Sequence, residues 1–356
     1  MSEPDISVVL CTYNRAVLLP SVLDALVTQE THNEFRYEIV VVDDASTDET
    51  ADVFQRVEAR AAVPMRYVRA GGNGVAQARN RGIAAARGKW VAFTDDDQVN
   101  AANWLIELFH VAQETAADCV GGAVELALEF PPAIPLTAQT RGILGAKTRP
   151  KARVYTRQTV PGTGNVMIKK SVFNRVGGFD DALVWGGEDD EFMQRVLRAD
   201  LHVWFTPKSV VRHLIPPYRL EVKYYRWVSL RVGVAFAEVD TKTRGRMIML
   251  VLGAGRTVKA LLFHLPRLVA AILSGNAAAA LEQRCYLWRA VGYLRQGLYL
   301  MVPWLFRQRR FFTGLKFRDE RATWTPASRS TQSDSGRRAY NPIFSPACCA
   351  LDCSRN

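Results

Sequence analysis

Three segments of this 356-residue chain concentrate side chains able to do chemistry. The first is FTDDD at 93–97, an apolar run that ends in three consecutive carboxylates. Like charges at that spacing repel, so a stable fold tolerates them mainly where a cation or hydrogen-bond donors neutralise them. Side chains alternate along extended backbone, which would aim Asp95 and Asp97 at one site and Asp96 elsewhere. A hard divalent cation takes such oxygen ligands and completes its shell with phosphate and water. The plainer alternative is an acidic turn capping the helix that follows. The second segment is WGGEDDEFMQRVLRAD at 185–200, where two glycines precede Glu188, Asp189, Asp190 and Glu191 at the start of a helix. Acids there are stabilised by the helix dipole. Four of them exceed what capping needs, and a general base is the sharper reading. The third is His213 in SVVRHLIPP, 24 residues after Asp189 and just past a strand-like FTPKSVV. A lone His is usually structural, but imidazole suits a metal already held by carboxylate and phosphate oxygens.

The elements that must position these residues alternate between two periods. SVVLCTY (7–13), EIVVVDD (38–44), MRYVRA (65–70) and KWVAFTDDD (89–97) are short apolar runs ending in polar residues, as buried parallel strands do. Between them 16–29, 48–62 and 74–88 carry apolar residues at helical spacing, with Pro20 near the start of the first. The pattern predicts a β-α-β-α-β-α-β open parallel sheet. Ligands of such sheets sit at the carboxyl ends of the strands, and here those ends read Thr12-Tyr13-Asn14, Asp43-Asp44 and Asp95-Asp96-Asp97. A helix at 103–116, a strand at 119–126, a Pro-rich stretch at 130–160, a PGTGN loop at 161–165 and a helix over about 189–200 complete the front of the chain. GGNG at 71–74 lacks the strand–GxGxxG–helix frame of a dinucleotide fingerprint and is a turn into the third helix.

Charge divides the chain in two. Residues 1–215 hold 23 Lys+Arg against 27 Asp+Glu, whereas 216–356 hold 23 against 8. The acidic front argues against nucleic acid as partner, and the basic back suggests an anionic surface, phospholipid among the candidates. From 246 to 312 the chain is strongly apolar but broken by single basic residues, and no run reaches the roughly 18–20 uninterrupted apolar residues of a membrane span. On a helical wheel Arg256, Lys259 and Arg267 face away from Val258, Leu261, Leu262, Leu265, Leu268, Val269 and Ile272, the pattern of a helix lying in a membrane interface. Packing of that apolar side on the rest of the protein is the alternative. Pro266 predicts a kink or two shorter helices. The six scattered cysteines contain no CxxC pair, which argues against zinc, and the acidic N-terminus MSEPD is no signal peptide; a cytoplasmic setting, at the inner face of the cell membrane, follows. The expected organisation is a catalytic domain over 1–216, a basic amphipathic helical region over 217–318, and a disordered Ser-, Arg- and Pro-rich tail over 319–356.

With VVLCTYNR (8–15), VVDDASTDET (41–50) and GGNGVAQARNRG (71–82), the three segments together resemble the family 2 glycosyltransferases over residues 6 to 215. The resemblance implies the α/β GT-A fold, a nucleotide-diphospho-sugar donor and a divalent metal, Mn2+ or Mg2+. By the same comparison Thr12, Tyr13, Arg15, Asp44 and Asp48 bind the nucleoside, and Arg79 lies near the ribose and diphosphate. Asp95 and Asp97 form the DxD pair, with Asp97 as the direct metal ligand beside the late His213. Asp189 is the base. WGGEDDE also looks like the acceptor motif of β-1,4-galactosyltransferases, which assigns Trp185, Glu188 and Asp190 to the acceptor. EDDE leaves several acids competing for the base role, so Asp189 rests on motif register. One base and no protein nucleophile imply inversion with a donor such as a UDP-sugar, and the acceptor would be a carbohydrate or lipid-linked hydroxyl. Two rivals remain: a sugar-phosphate nucleotidyltransferase, disfavoured because CTYNRAVLLP lacks the Gly-rich basic loop, and a catalytically silent glycan-binding protein.

Overall fold

The computed structural model describes residues 3–156, 159–183, 186–304 and Trp324. Strands β1 (Ile6–Thr12) and β2 (Tyr37–Asp43) are buried almost throughout, which explains their uninterrupted SVVL and IVVV runs. Around them lie α1 (Leu19–Val27), α2 (Thr50–Glu58), β3 (Met65–Arg69), α3 (Val75–Ala85) and β4 (Trp90–Asp95). Pro20 falls in the first turn of α1, where a missing N–H costs nothing. Then come β5 (Gln98–Asn100), α4 (Trp104–Thr115), β6 (Cys119–Leu128), α5 (Ala138–Ile143), β7 (Arg153–Val154), β8 (Asn165–Lys169), α6 (Lys170–Val176), α7 (Glu188–Arg198) and β9 (Val203–Ile215). The sheet runs β3-β2-β1-β4-β8-β6-β9-β5, with β7 on β9. Its first four strands are parallel, as the sequence predicts. β8 enters antiparallel between β4 and β6, making the sheet mixed. Alternate residues of β1 feed two cores: Val8 and Leu10 pack with Leu23 and Trp104, Val9 with Phe93, Phe173 and Phe192.

Beyond a 3-10 turn at Pro217–Leu220 stand α8 (Val222–Arg244), α9 (Arg246–Lys259), α10 (Leu265–Leu273) and α11 (Ala277–Met301). A third core joins Leu144 and Ile215 to Tyr225, Leu281 and Cys285, so this region packs on the sheet domain. Where Pro266 predicts a kink or two shorter helices, the α-helical stretch is divided in two. A π-helical turn, Ala260–His264, precedes the proline and keeps α9 and α10 one continuous helix. The wider turn relieves the clash between the proline ring and the preceding carbonyls. By length and composition that helix could cross a membrane, although its basic residues divide it into short apolar runs. The expected disordered tail lies outside the described residues, apart from Trp324, whose indole donates to Glu129 at 3.2 Å.

Glu238 of α8 accepts from Gln296 Nε2 at 2.9 Å. Burial pushes its carboxyl up to about 7, against the opposing pull of Lys242. The folded state therefore holds this proton more tightly than the unfolded chain does. Stability from this group is full below the ordinary Glu value and is lost as pH rises towards 7. Glu238→Gln is expected to raise stability at pH 8 by about 1–2 kcal/mol and to change little at pH 4, read from urea midpoints.

Candidate active site

Three loops at the carboxyl ends of β1, β2 and β3 are tied together by two carboxylates. Asp44 accepts from Gly72 N at 3.0 Å and Gly74 N at 2.9 Å. Asp48 accepts from Ala16 N at 3.0 Å and from Thr50 N at 3.1 Å. Beside them Tyr13 leaves 43% of its surface open, a platform on which a flat base can stack, and the buried Thr12 hydroxyl has no partner.

The acid triplet is not arranged as alternation predicts. β4 ends at Asp95 and the chain turns at Asp96-Asp97. Turn geometry therefore replaces strand geometry, and Asp96 faces Arg15 together with Asp97. Arg15 is buried with Nε 3.7 Å from Asp96 and Nη2 3.5 Å from Asp97, while Tyr13 N donates to Asp96 at 3.4 Å. Arg219 Nη2 donates to Asp97 at 2.9 Å and its Nη1 to His213 Nε2 at 2.8 Å. Arg79 is buried, donating to Glu188 at 2.6 Å with Asp95 3.4 Å away. Three arginines thus neutralise the triplet from different elements. Burial pushes Asp95 up in pKa, with Arg79 opposing. Burial acts on Asp97 too, but His213, Arg219 and Arg15 outweigh it and hold that carboxyl well below the usual range.

Asp97 and His213 lie close enough together to be candidates for holding a divalent cation. His213 Nε2 lies 3.4 Å from Asp97 Oδ1, close to the roughly 3 Å between adjacent ligands of an octahedral ion. Arg219 can only donate, so Nε2 accepts there with its single lone pair, and a cation on Nε2 would have to displace that bond. The other ring nitrogen is buried without a partner. Among the described residues no third His, Cys, Asp or Glu joins a metal-binding group. Phosphate oxygens and water would supply the remaining ligands.

Helix α7 faces this edge of the sheet. Glu188 turns inward to Arg79, and that ion pair couples α7 to the end of β4. Asp189 is half-buried, and its Oδ1 accepts from Asp190 N at 2.9 Å. A Cβ on Gly162 would meet Lys147 Nζ at 2.8 Å and Asp189 Oδ2 at 3.5 Å, and one on Gly164 would meet Asp95 Oδ2 at 2.7 Å. The PGTGN loop therefore threads between the two acid groups, and a side chain at Gly164 would have to displace Gln98 and Asp95. Burial, then Asp189, raises the pKa of Asp190. It lines a cleft of about 560 Å3 with Arg198 of α7, Val239 and Asp240 of α8, and Arg256 of α9. Trp185 lies outside the described residues.

Residues 7–177 match the family described as glycosyl transferase family 2, and residues 145–216 match the N-terminal domain of galactosyltransferase. The match to the family 2 glycosyltransferases spans β1 to β8 and α6 and takes in the acid triplet at 95–97. It is 32% identical over 233 residues to a validoxylamine A glucosyltransferase of Streptomyces hygroscopicus, covering 59% of this chain and 54% of that one. A glycosyltransferase of Haloferax volcanii, AglE, is 28% identical over 215 residues, covering 60% and 68%. The chain spans about half the length of the Streptomyces relatives it matches. A mannosyltransferase of Pyrobaculum calidifontis, solved with GDP-Man and Mn2+, shares the fold at a TM-score of 0.53 and 19% identity, covering 83% and 88%.

The structure adds residues that sequence reasoning missed. Arg219 lies beyond the expected domain boundary at 216, yet it holds both Asp97 and His213. Lys147, in the stretch with least pattern, stands by the acids of α7. Arg15 and Arg79, expected near the donor, are held by the acids. Gly145 backs His213: it has φ +97°, and a Cβ there would lie 3.0 Å from the unpartnered Nδ1. Gly145→Ala is expected to cost about 1–2 kcal/mol in backbone strain, read from urea midpoints.

Proposed function

We propose that this chain transfers one hexose from a nucleotide-diphospho-sugar, with UDP-sugars preferred, to an acceptor hydroxyl with inversion at the anomeric carbon. The observation that carries this reading is the juxtaposition at the PGTGN loop, where Gly164 abuts Asp95 and Gly162 abuts Asp189. The proposed metal-side carboxylate and the proposed proton acceptor thus flank one short loop. Tyr13, with Asp44 and Asp48 fixing the surrounding loops, would receive the nucleoside. Asp97 and His213 would hold Mn2+ or Mg2+, which when bound offsets the charge gathering on the departing diphosphate. Arg219 and Arg15 add fixed positive charge beside Asp97. Asp189 takes the proton of the acceptor hydroxyl as its oxygen bonds to the anomeric carbon. The electron pair of the broken C–O bond leaves with the diphosphate. A diphosphate leaves without a general acid, unlike the leaving group of a glycoside hydrolase. The cleft beside Asp190 would receive the acceptor, a step in polysaccharide or glycolipid synthesis.

The test is incubation with a panel of UDP- and GDP-sugars and Mn2+. Metal-dependent nucleoside diphosphate release, abolished by chelation, is the expected result. Pyrophosphate as the product would mark a nucleotidyltransferase instead, and no turnover with any donor would mark a binding protein.

A further inference from the structure

We infer that the outward face of the Arg246–Leu273 helix seats this protein on an anionic bilayer, lying flat at the boundary between headgroups and acyl chains. Met247, Val251, Val258, Leu262, Leu265, Val269 and Ile272 recur at helical spacing, and every one is exposed. Eleven of the twenty exposed large hydrophobic residues among those described belong to this one helix. An apolar surface so concentrated marks an interaction site.

Charge names the occupant. From Thr241 to Leu281 there is no Asp or Glu; of the six cations there, Lys242, Arg244 and Arg256 pair with Asp180 and Asp240, while Arg246, Lys259 and Arg267 stand exposed. Anionic headgroups complement that surface. A second copy of the chain would set the same cations against one another.

The inner side argues for a flat orientation. Met249, Gly253, Ala260 and Ala271 are buried. Arg256 pairs with Asp240 at 2.8 Å and lies 4.2 Å over the Tyr293 ring, which pins α9 to α8 and α11. Lys259 and Arg267 remain exposed within the helix. A crossing orientation would carry these charges and their bonded neighbours into hydrocarbon, whereas a flat one lets the long side chains reach the headgroups.

Vesicle flotation of the full chain tests this. Phosphatidylcholine vesicles containing one-third phosphatidylglycerol are expected to bind at least tenfold more protein than phosphatidylcholine alone, the excess vanishing near 1 M salt. Lys259→Gln with Arg267→Gln should lower binding to the anionic vesicles about 25-fold, a factor of five per charge. Val258→Ser with Leu262→Ser should lower it about tenfold or more. Both pairs are exposed, so melting temperature and donor hydrolysis in solution should stay unchanged; loss of hydrolysis in the parent chain would instead count against the transferase reading. Equal binding to both vesicle types would overturn the inference. So would resistance to alkaline carbonate extraction, which marks a crossing helix, or a lipid-free dimer that Leu262→Ser dissociates.

Discussion

Asp189→Asn is expected to lower turnover about 10²–10⁴-fold and to leave the melting temperature where it was. The amide cannot accept the acceptor's proton, yet its oxygen can still accept from Asp190 N, the one bond that Asp189 Oδ1 makes to the start of α7. Asp189 is half-buried and stands at the α7 N-terminus, so removing its charge costs folding little. Asp190→Asn should act differently, raising KM with less than a tenfold effect on kcat, because Asp190 faces the cleft shared with Arg198 and Arg256. The measurement is steady-state release of nucleoside diphosphate at saturating donor. If Asp190→Asn abolishes turnover and Asp189→Asn does not, the base has been misassigned by one residue.

Arg79→Met is expected to destabilise the fold by about 3–5 kcal/mol, the cost of stripping the partner from buried charge. Arg79 reaches Glu188 at 2.6 Å and lies 3.4 Å from Asp95, with its guanidinium 5.7 Å from the centre of the Phe179 ring. Methionine fills similar volume but leaves two carboxylates without a cation. Burial already raises Asp95, and losing Arg79 raises it further. The variant's folded state then binds protons more tightly than its unfolded state, so its penalty grows as pH rises and shrinks towards pH 5. Adding Glu188→Gln should recover part of the loss, a coupling of about 1–3 kcal/mol in a double-mutant cycle. A melting temperature within about 2 °C of the parent chain would falsify the clamp.

Sequence alone determined the strands β1, β2 and β4, the start of α7, and which acids cluster. Those features are local. A strand buried on both faces needs a continuous apolar run such as Val40-Val41-Val42, and a helix dipole favours acids such as Glu188 and Asp189 at its first turn. Tertiary structure alone decided what neutralises the acids. The partners of Asp97 are His213, Arg219 and Arg15, and Arg79 joins Asp95 to Glu188, which lies 109 residues further along the chain than the arginine. No period or cap encodes such pairings, because they follow from how β4, α3, α7 and β9 are brought together. The same holds for β8, whose five residues pair antiparallel only because β4 and β6 leave a gap between them. Burial of Arg79 and exposure of Leu262 likewise depend on which surfaces found partners, a property of the folded chain and not of any segment within it.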